Sequence, residues 1–296
     1  MSHSQRTRSL LAVCCFLGLV AGCHALRLGN LAPERTATSP APVPAGKKSE
    51  FRVSQFVFLH DFPIDRKLPL FDELASLREQ LNKELQLPPS NTPIFVHLFE
   101  NQERYEAFMK SRYPDLPARR AFFIADTPRF GGTEELMVFT YWGDRINQDL
   151  RHELTHALLH SVLKDVPIWL DEGLAENFEL APGWKGVNYQ HLGQLRRNLQ
   201  GPFVPDLARL ERLSKVNEMT PAEYRESWAW VHLMLHSTPE ARGVLLQYLQ
   251  RLRTTDKPGP LQPMLAAVLP APEEALAEHL ALLEKGSART SARAEH

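Results

Sequence analysis

The sequence predicts an α+β protein in which a small N-terminal mixed sheet with helices is followed by a mainly α-helical half. Before residue 145, short β-branched and aromatic runs alternate with helical segments, and from Ile146 onward almost every apolar pattern has helical spacing. The chain has 296 residues, 43% of them apolar and 23% charged, as in globular proteins with a substantial core. Grouping the strands before the helices favours segregated layers over an alternating α/β fold.

The individual elements follow from local patterns. Strands are predicted over Phe51–His60, Ile94–Phe99, Ala121–Ala125 and Leu136–Tyr141. Helices are predicted over Leu70–Leu87, which Pro88 and Pro89 end, over Glu103–Arg112, and from Ile146 to Val162 with Asp144 as N-cap.

The N-terminus has the features of an export signal. Arg6 and Arg8 precede the apolar run Leu10–Val20, which is too short to cross a bilayer as a helix. The run ends in the sequence VAGC and resembles a bacterial lipoprotein box, which implies lipidation of Cys23 after removal of residues 1–22. Because His24 rather than Asp follows, the resemblance favours the outer membrane of a Gram-negative envelope. An ordinary signal peptide or an N-terminal anchor is the alternative.

The chain is therefore expected to divide into a leader, a tether, a folded domain and a tail. Residues 23–50 are rich in Pro and Ala and predict an extended tether. Residues 51–285 form the domain, with a sheet subdomain at 51–145 and a helical subdomain at 146–285, and residues 286–296 predict a disordered tail. Lys and Arg number 34 against 35 Asp and Glu, so no basic excess indicates a nucleic-acid partner.

The segment RHELTH contains the pattern His-Glu-x-x-His at His152, Glu153 and His156. Four helical residues rise about 6 Å and turn about 40° beyond one revolution. Both histidines therefore lie on one helix face and can share a metal ion, with Glu153 beside them to take a proton from a water on the metal.

A second segment, PIWLDEGLAENF, offers the third ligand that a catalytic metal site with an open position needs. Glu172 lies sixteen residues after His156, and Glu176 lies one helical turn further along the same face. One of them is expected to bind the metal. If it is Glu172, Glu176 is placed to accept the ring N–H of a ligand histidine; the reverse assignment leaves Glu172 facing solvent.

These two segments resemble the gluzincins, a group of zinc metallopeptidases that includes thermolysin, and more narrowly the peptidase-MA-like families of bacterial metallopeptidases. The strong resemblance covers about residues 147–180. It implies a thermolysin-like or aminopeptidase-like core with one Zn²⁺ per chain, bound by His152, His156 and Glu172, with Glu153 as general base. Asp171 stands where many relatives have Asn.

Other residues have two or more readings. For the oxyanion donor, Tyr224 is the first candidate, by its resemblance to a Tyr of aminopeptidase-like gluzincins, and His232 is the second. The third possibility is that neither residue has this role. His160 is interpreted as a helix-end histidine rather than a fourth ligand. The strand Leu136–Tyr141 is either the edge of a substrate cleft or a plain core strand.

The predicted function is that of a membrane-anchored zinc metallopeptidase that hydrolyses a peptide or protein substrate with a zinc-activated water. An endopeptidase is favoured, because no extended set of acidic residues is available to hold a substrate amine. The alternatives are a non-catalytic, zinc-holding envelope scaffold or assembly lipoprotein and a non-peptide hydrolase with the same site.

Overall fold

The structure is a computed structural model that describes residues 25–27, 49–126, 134–255 and 257–294, with side chains for all of these except 25–27 and 287–294. The predicted leader 1–22 and the lipidation site Cys23 lie outside the described residues. Most of the predicted tether also lies outside them.

The sheet of the described chain has six strands and mixed direction. The strands are β1 (Ala25–Arg27), β2 (Ser49–Val53), β3 (Phe56–His60), β4 (Ile94–Phe99), β5 (Ala121–Asp126) and β6 (Glu135–Tyr141). Their order across the sheet is β1-β5-β6-β4-β3-β2. Strands β3, β4 and β6 are parallel to one another, β2 and β5 are antiparallel to their inner neighbours, and β1 is parallel to β5.

The helices come mainly after the sheet. They are α1 (Pro69–Leu85), α2 (Gln102–Arg112), α3 (Ile146–His160), α4 (Ile168–Phe178), α5 (Tyr189–Asn198), α6 (Leu207–Glu211), α7 (Pro221–His236), α8 (Pro239–Thr254), α9 (Gln262–Val268) and α10 (Pro272–Ala294). A mixed sheet followed by a mostly helical half confirms the predicted α+β class. No helix among the described residues is long and apolar enough to span a bilayer.

Alternating side chains divide the two faces of the sheet. Phe123 and Ala125 of β5 belong to the main core, which also contains apolar residues of α1, α3, α4 and α7. Phe122 and Ile124 point to the other face and form a smaller cluster with Tyr105 of α2. The period of two along β5 thus places helix α3 on one face of the sheet and α2 on the other.

The single strand predicted over Phe51–His60 is wrong, because the segment forms a hairpin of β2 and β3. The chain turns at Ser54, whose φ of 55° is in the left-handed region. Arg78 of α1 donates to the Ser54 hydroxyl at 3.1 Å and Arg52 donates to its carbonyl at 3.0 Å. The turn is therefore stabilised by one distant side chain, Arg78, and one neighbouring side chain, Arg52, and the local sequence contains none of the usual glycine or asparagine signals.

Three further boundaries differ from the sequence expectations. The N-cap of α3 is Arg145 and makes no side-chain cap bond, whereas Asp144 pairs with Arg120 at 3.3 Å. Strand β1 falls inside the segment 23–50 that was expected to be a tether. Helix α10 continues to Ala294, beyond residue 286 where a disordered tail is expected to begin.

The position of β6 in the sheet decides between its two sequence-based interpretations, the edge of a substrate cleft and a plain core strand. It pairs with β4 on one side and with β5 on the other, so it is an inner strand of the sheet. The expectation that Leu136–Tyr141 forms a cleft edge is therefore wrong, and the core-strand reading is confirmed. The strand at that side of the sheet, beyond β6, is β5.

Candidate metal centre

Helix α3 is buried on nearly all sides, which fixes the orientation of its polar residues. It packs against β5, β6, α1 and α4, and every residue from Asp149 to Leu159 is buried. His152 and His156 are one turn apart, with ring centroids separated by 5.0 Å. The helical spacing therefore produces the paired histidines that the sequence predicts.

Helix α4 brings the acidic residues of the second segment back over α3. Its residues from Trp169 to Phe178 are all buried, and Glu172 is 1% exposed. A close crossing with α7 holds α4 in place, since a Cβ at Gly173 would lie 2.6 Å from the Ser227 carbonyl oxygen and 2.8 Å from Val231. Gly173 therefore permits a helix contact directly beside Glu172.

The ligand atoms of His152, His156 and Glu172 lie within 4.8 Å of one another. Oε2 of Glu172 is 3.5 Å from Nε2 of His152 and 3.7 Å from Nε2 of His156. Donors to a tetrahedral zinc ion at about 2.0–2.1 Å are separated by about 3.4 Å, so these two carboxylate-to-imidazole distances are close to those of a zinc site. Both Nε2 atoms are buried and make no hydrogen bond within the described chain, which is consistent with a metal-binding role.

The other ring nitrogen of His152 is held by Glu179, at the end of α4. Nδ1 of His152 is 2.8 Å from Oε2 of Glu179, and the Gln148 amide donates to Oε1 of the same carboxylate at 2.5 Å. With Nδ1–H donating to Glu179, Nε2 of a neutral imidazole is free to bind a metal. Burial lowers the pKa of His152, but Glu172 and Glu179 more than offset this and hold the pKa well above its ordinary value.

His156 is oriented by Asp171, and Asp171 in turn by His160. Nδ1 of His156 lies 3.0 Å from Oδ1 of Asp171, and the other Asp171 oxygen lies 2.9 Å from Nε2 of His160. Burial alone would raise the pKa of Asp171, but the two histidines lower it by more. The pKa therefore lies below its usual value and the carboxyl is ionised. His160 is the last residue of α3 and contacts Asp171. This contact is compatible with the interpretation of His160 as a helix-end histidine and does not need it to be a fourth ligand.

Glu176 contacts a histidine other than the ligand histidine that the sequence analysis expected, so this part of its predicted role is wrong. Oε2 of Glu176 lies 2.8 Å from Nε2 of His191 in α5, while Glu179 and Asp171 lie against the second nitrogens of the two paired histidines. Burial raises the pKa of Glu176, but His191 lowers it more, so it lies below its usual value. Glu176, Glu179 and His152 also offer ligand atoms within 4.8 Å of one another, but this second group does not include His156. The geometry thus favours Glu172 over Glu176 as the third ligand.

A family described as "Protein of unknown function (DUF1570)" matches residues 148–258, which is less than half of the chain. The match begins in α3, includes all of α4 and α7, and ends after α8. It therefore covers every residue of the three-ligand cluster. A search of curated proteins finds no match.

Glu153 lies between the two histidines in α3 and is fully buried. It follows His152 directly in the chain, so its side chain leaves the helix about 100° around the axis from that of His152. The structure leaves the role of Glu153 as general base a prediction.

The two candidate oxyanion donors both lie in α7, but in different surroundings. Tyr224 is buried in the first turn and shares a helix face with Ser227 and Val231, which contact α4 at Gly173. His232 instead places Nδ1 2.8 Å from Nε2 of His279 in α10. Burial and the neighbouring histidines lower the pKa of His232 to about 2, so this ring is neutral.

Sequence reasoning missed the roles of Glu179, Asp171, His191 and His279. The segment from Asp171 to Glu179 carries four acidic residues, and their spacing alone does not assign each to a histidine. His191 and His279 have no partner at helical spacing, because Glu176 and His232 meet them from other helices. A signal for Glu179 was its place one turn after Glu176.

Proposed function

We propose that the protein is a zinc-dependent metallopeptidase of the gluzincin type. The observation that carries this proposal is the arrangement of His152, His156 and Glu172, whose ligand atoms lie within 4.8 Å of one another and whose carboxylate lies 3.5 and 3.7 Å from the two Nε2 atoms. Glu153 lies on the same helix, as the His-Glu-x-x-His pattern of metallopeptidases requires. Two histidines with one carboxylate leave a fourth position for water or substrate, which is typical of catalytic rather than structural zinc.

The residues of the chain divide the catalytic work between them. Zinc, when bound, supplies a Lewis acid that polarises a carbonyl and lowers the pKa of water. Glu153 takes the proton from the attacking water and delivers it to the leaving amine. Glu179 and Asp171 fix the tautomers of His152 and His156, and the buried walls keep bulk water from these charges. Tyr224 is the proposed hydrogen-bond donor to the developing oxyanion.

The substrate is proposed to be a peptide or protein, and the preference for an endopeptidase stays a prediction. We also propose that Cys23 carries lipid and that the protein belongs to a bacterial envelope, outer-membrane if the cell is Gram-negative. The support is the leader pattern of the sequence alone.

The first experiment separates metal binding from catalysis. In the wild type, elemental analysis should give about one zinc per chain, because one three-ligand cluster is proposed. His156→Ala should lose the metal, whereas His236→Ala, which removes an exposed histidine of α7, should keep it. Full zinc retention in His156→Ala would contradict the ligand set.

The second half of the experiment tests the chemistry with Glu153→Gln. This variant should keep its zinc and lose hydrolysis of a quenched-fluorescent peptide library by about 10²-fold or more, the usual contribution of a general base. Glu79→Gln, an exposed position of α1, is the matched control. A zinc-loaded wild type with no hydrolysis of the library would favour the scaffold alternative.

A further inference from the structure

Three histidines lie together where helix α10 packs on α7. Nδ1 of His232 in α7 lies 2.8 Å from Nε2 of His279 in α10, and their ring centroids are 5.1 Å apart. His236 lies one turn after His232, with its ring centroid 4.4 Å from that of His232. His232 is 2% exposed and His279 is 8% exposed. The contact between His232 and His279 is therefore a hydrogen bond between two buried imidazoles, one from each helix.

This hydrogen bond requires at least one of the two rings to be neutral. One imidazole nitrogen donates its N–H, and the nitrogen of the other ring accepts it with a lone pair. A first added proton leaves a charged imidazolium in a buried position, which costs free energy. A second proton removes the acceptor and places two positive charges side by side. Protonation of His232 and His279 therefore disfavours the docked position of α10.

The charged groups around the pair offer little compensation for such a proton. His236 of α7 and the backbone of Lys185 face His232, and His236 also faces His279. In the part of the chain that the structure describes, Glu84 of α1 is the carboxylate that faces this cluster, and it faces His236. Arg242 of α8 and Lys185 face His236 as well, so cations oppose the charge of Glu84.

The pKa values of the pair have the direction that this packing predicts. Burial, together with the charges of His236 and His279, lowers the pKa of His232 to about 2. Burial and the charge of His236 lower the pKa of His279 to about 4. A histidine exposed to water has a pKa of about 6.5. Because the docked rings have the lower pKa, docking has its full stability above about pH 6.5 and loses it as the pH falls from 6.5 toward 4.

The other described contacts of α10 differ in character from this pair. Leu276 and Leu280 are each 1% exposed and belong to the main core, so they favour docking at every pH. Glu284 accepts from Arg196 of α5 at 3.1 Å, but this ion pair is partly exposed and contributes little free energy. The histidine pair therefore supplies the pH dependence of a helix that apolar contacts otherwise hold in place.

We propose that His232 and His279 form an acid-sensitive latch, which holds α10 on α5 and α7 near neutral pH and releases it in mildly acidic medium. The latch lies outside the proposed metal centre and does not rest on the proposed peptidase function. Release exposes the apolar face of α10 and the faces of α5 and α7 that it covers. Both of the covered helices contact α4, which carries Glu172.

The test replaces the pair in the full chain by His232→Asn with His279→Gln. The Asn amide takes the place of Nδ1 and the Gln amide takes the place of Nε2, so the two can still form a hydrogen bond but do not titrate. Hydrogen–deuterium exchange of residues 272–286 measures the opening of α10. Wild type and double variant are compared at the same pH, which cancels the intrinsic pH dependence of amide exchange.

The wild-type exchange rate of residues 272–286, relative to that of the double variant, should rise by about tenfold or more between pH 7.5 and pH 5. One histidine whose pKa moves from about 4 to about 6.5 on release accounts for about 30-fold at pH 5. His279→Gln alone should remove part of the rise, and it serves as a second variant if the double variant does not fold.

Glu284→Gln is the matched control, because it removes the ion pair with Arg196 on the same helix and leaves the histidines in place. It should speed the exchange of residues 272–286 by the same factor at pH 7.5 and at pH 5. A purely structural role of the histidine pair would give this result for His279→Gln as well, and would contradict the latch.

The outcomes also separate the latch from the proposed metal centre. An equal rise in wild type and double variant, or an equal rise in α3 and α4 of the wild type, overturns the latch. A rise that disappears when a chelator removes zinc from the wild type belongs to the metal centre and overturns it too. A rise confined to α10, present with and without zinc and absent from the double variant, supports the latch even if the protein hydrolyses no peptide.

Discussion

At the scale of single residues, the proposed metal centre depends on carboxylates that do not bind the metal. Glu179 lies on Nδ1 of His152 at 2.8 Å and Asp171 lies 3.0 Å from Nδ1 of His156. Burial raises the pKa of Glu179, and the Glu176 carboxylate raises it further, while His152 and Gln148 lower it. Placing these acids close together costs free energy, which the packing of the surrounding helices offsets. Such an arrangement is typical of functional sites.

Glu179→Gln should weaken zinc binding by about 10- to 100-fold, the usual effect of removing a carboxylate behind a ligand histidine. The amide keeps the size of the side chain but loses the charge that favours donation from Nδ1 of His152. The measurement is the zinc dissociation constant, obtained by competition with a fluorescent chelator.

The matched control is Glu176→Gln, because Glu176 bonds His191 rather than a proposed ligand. It should change the zinc dissociation constant less than Glu179→Gln does. A larger loss in Glu176→Gln would restore the sequence-based expectation that Glu176 supports, or itself provides, a ligand.

At the scale of elements, the crossing of α4 and α7 positions Glu172. Gly173 is the closest point, where a Cβ would meet the Ser227 carbonyl oxygen at 2.6 Å and its carbon at 2.9 Å. Backbone atoms cannot rotate away as a flexible side chain can, so any larger residue must separate the helices. The glycine next to the proposed ligand is therefore required by packing.

Gly173→Ala should lower the free energy of unfolding by about 1–3 kcal/mol, since the extra methyl group overpacks the helix crossing. The midpoint of urea denaturation measures this change. Because the shift of α4 also moves Glu172, zinc affinity should fall as well.

Gly243→Ala is the control for helix propensity, because a Cβ at Gly243 in α8 meets nothing within 4 Å. It should raise the stability by about 0.5–1 kcal/mol through the lower conformational entropy of alanine in the unfolded chain. If Gly173→Ala stabilised the protein in the same way, this result would contradict the close approach of α4 and α7 at Gly173.

At the scale of the whole molecule, the helical half holds the proposed metal centre against one face of the sheet. Helix α3 lies between the sheet and α4, and α4 lies between α3 and α7. The cluster therefore belongs to the interior of the described chain and not to a loop, which restricts the movement of its ligands. A rigid site of this kind should fold in the same way with or without a lipid anchor.

Cys23→Ser should remove the protein from the membrane fraction if Cys23 carries the lipid. A multiply acylated cysteine gives stable anchoring, whereas no helix in the described chain can span the bilayer. Detergent-phase partitioning measures the change, and the zinc content of the soluble variant should equal that of the wild type. A variant that still enters the detergent phase with its leader cleaved would contradict the lipid anchor.

The sequence alone determined the features that depend on local periodicity. The strand Ile94–Phe99 has its predicted bounds, and helical spacing placed His152, Glu153 and His156 on one helix. The order of strand and helix patterns also gave the α+β class, because burial of apolar faces separates those elements into layers. Each of these inferences needs only residues that are close in the chain.

Only the tertiary structure decided the features that depend on contacts between distant segments. Glu179 is 27 positions from His152 and His191 is 15 from Glu176, so neither pairing has a local pattern. The hairpin turn at Ser54 depends on Arg78 of α1, and the inner position of β6 depends on strand order. Such contacts follow from how whole faces pack together, and a linear pattern of apolar residues does not specify which faces meet.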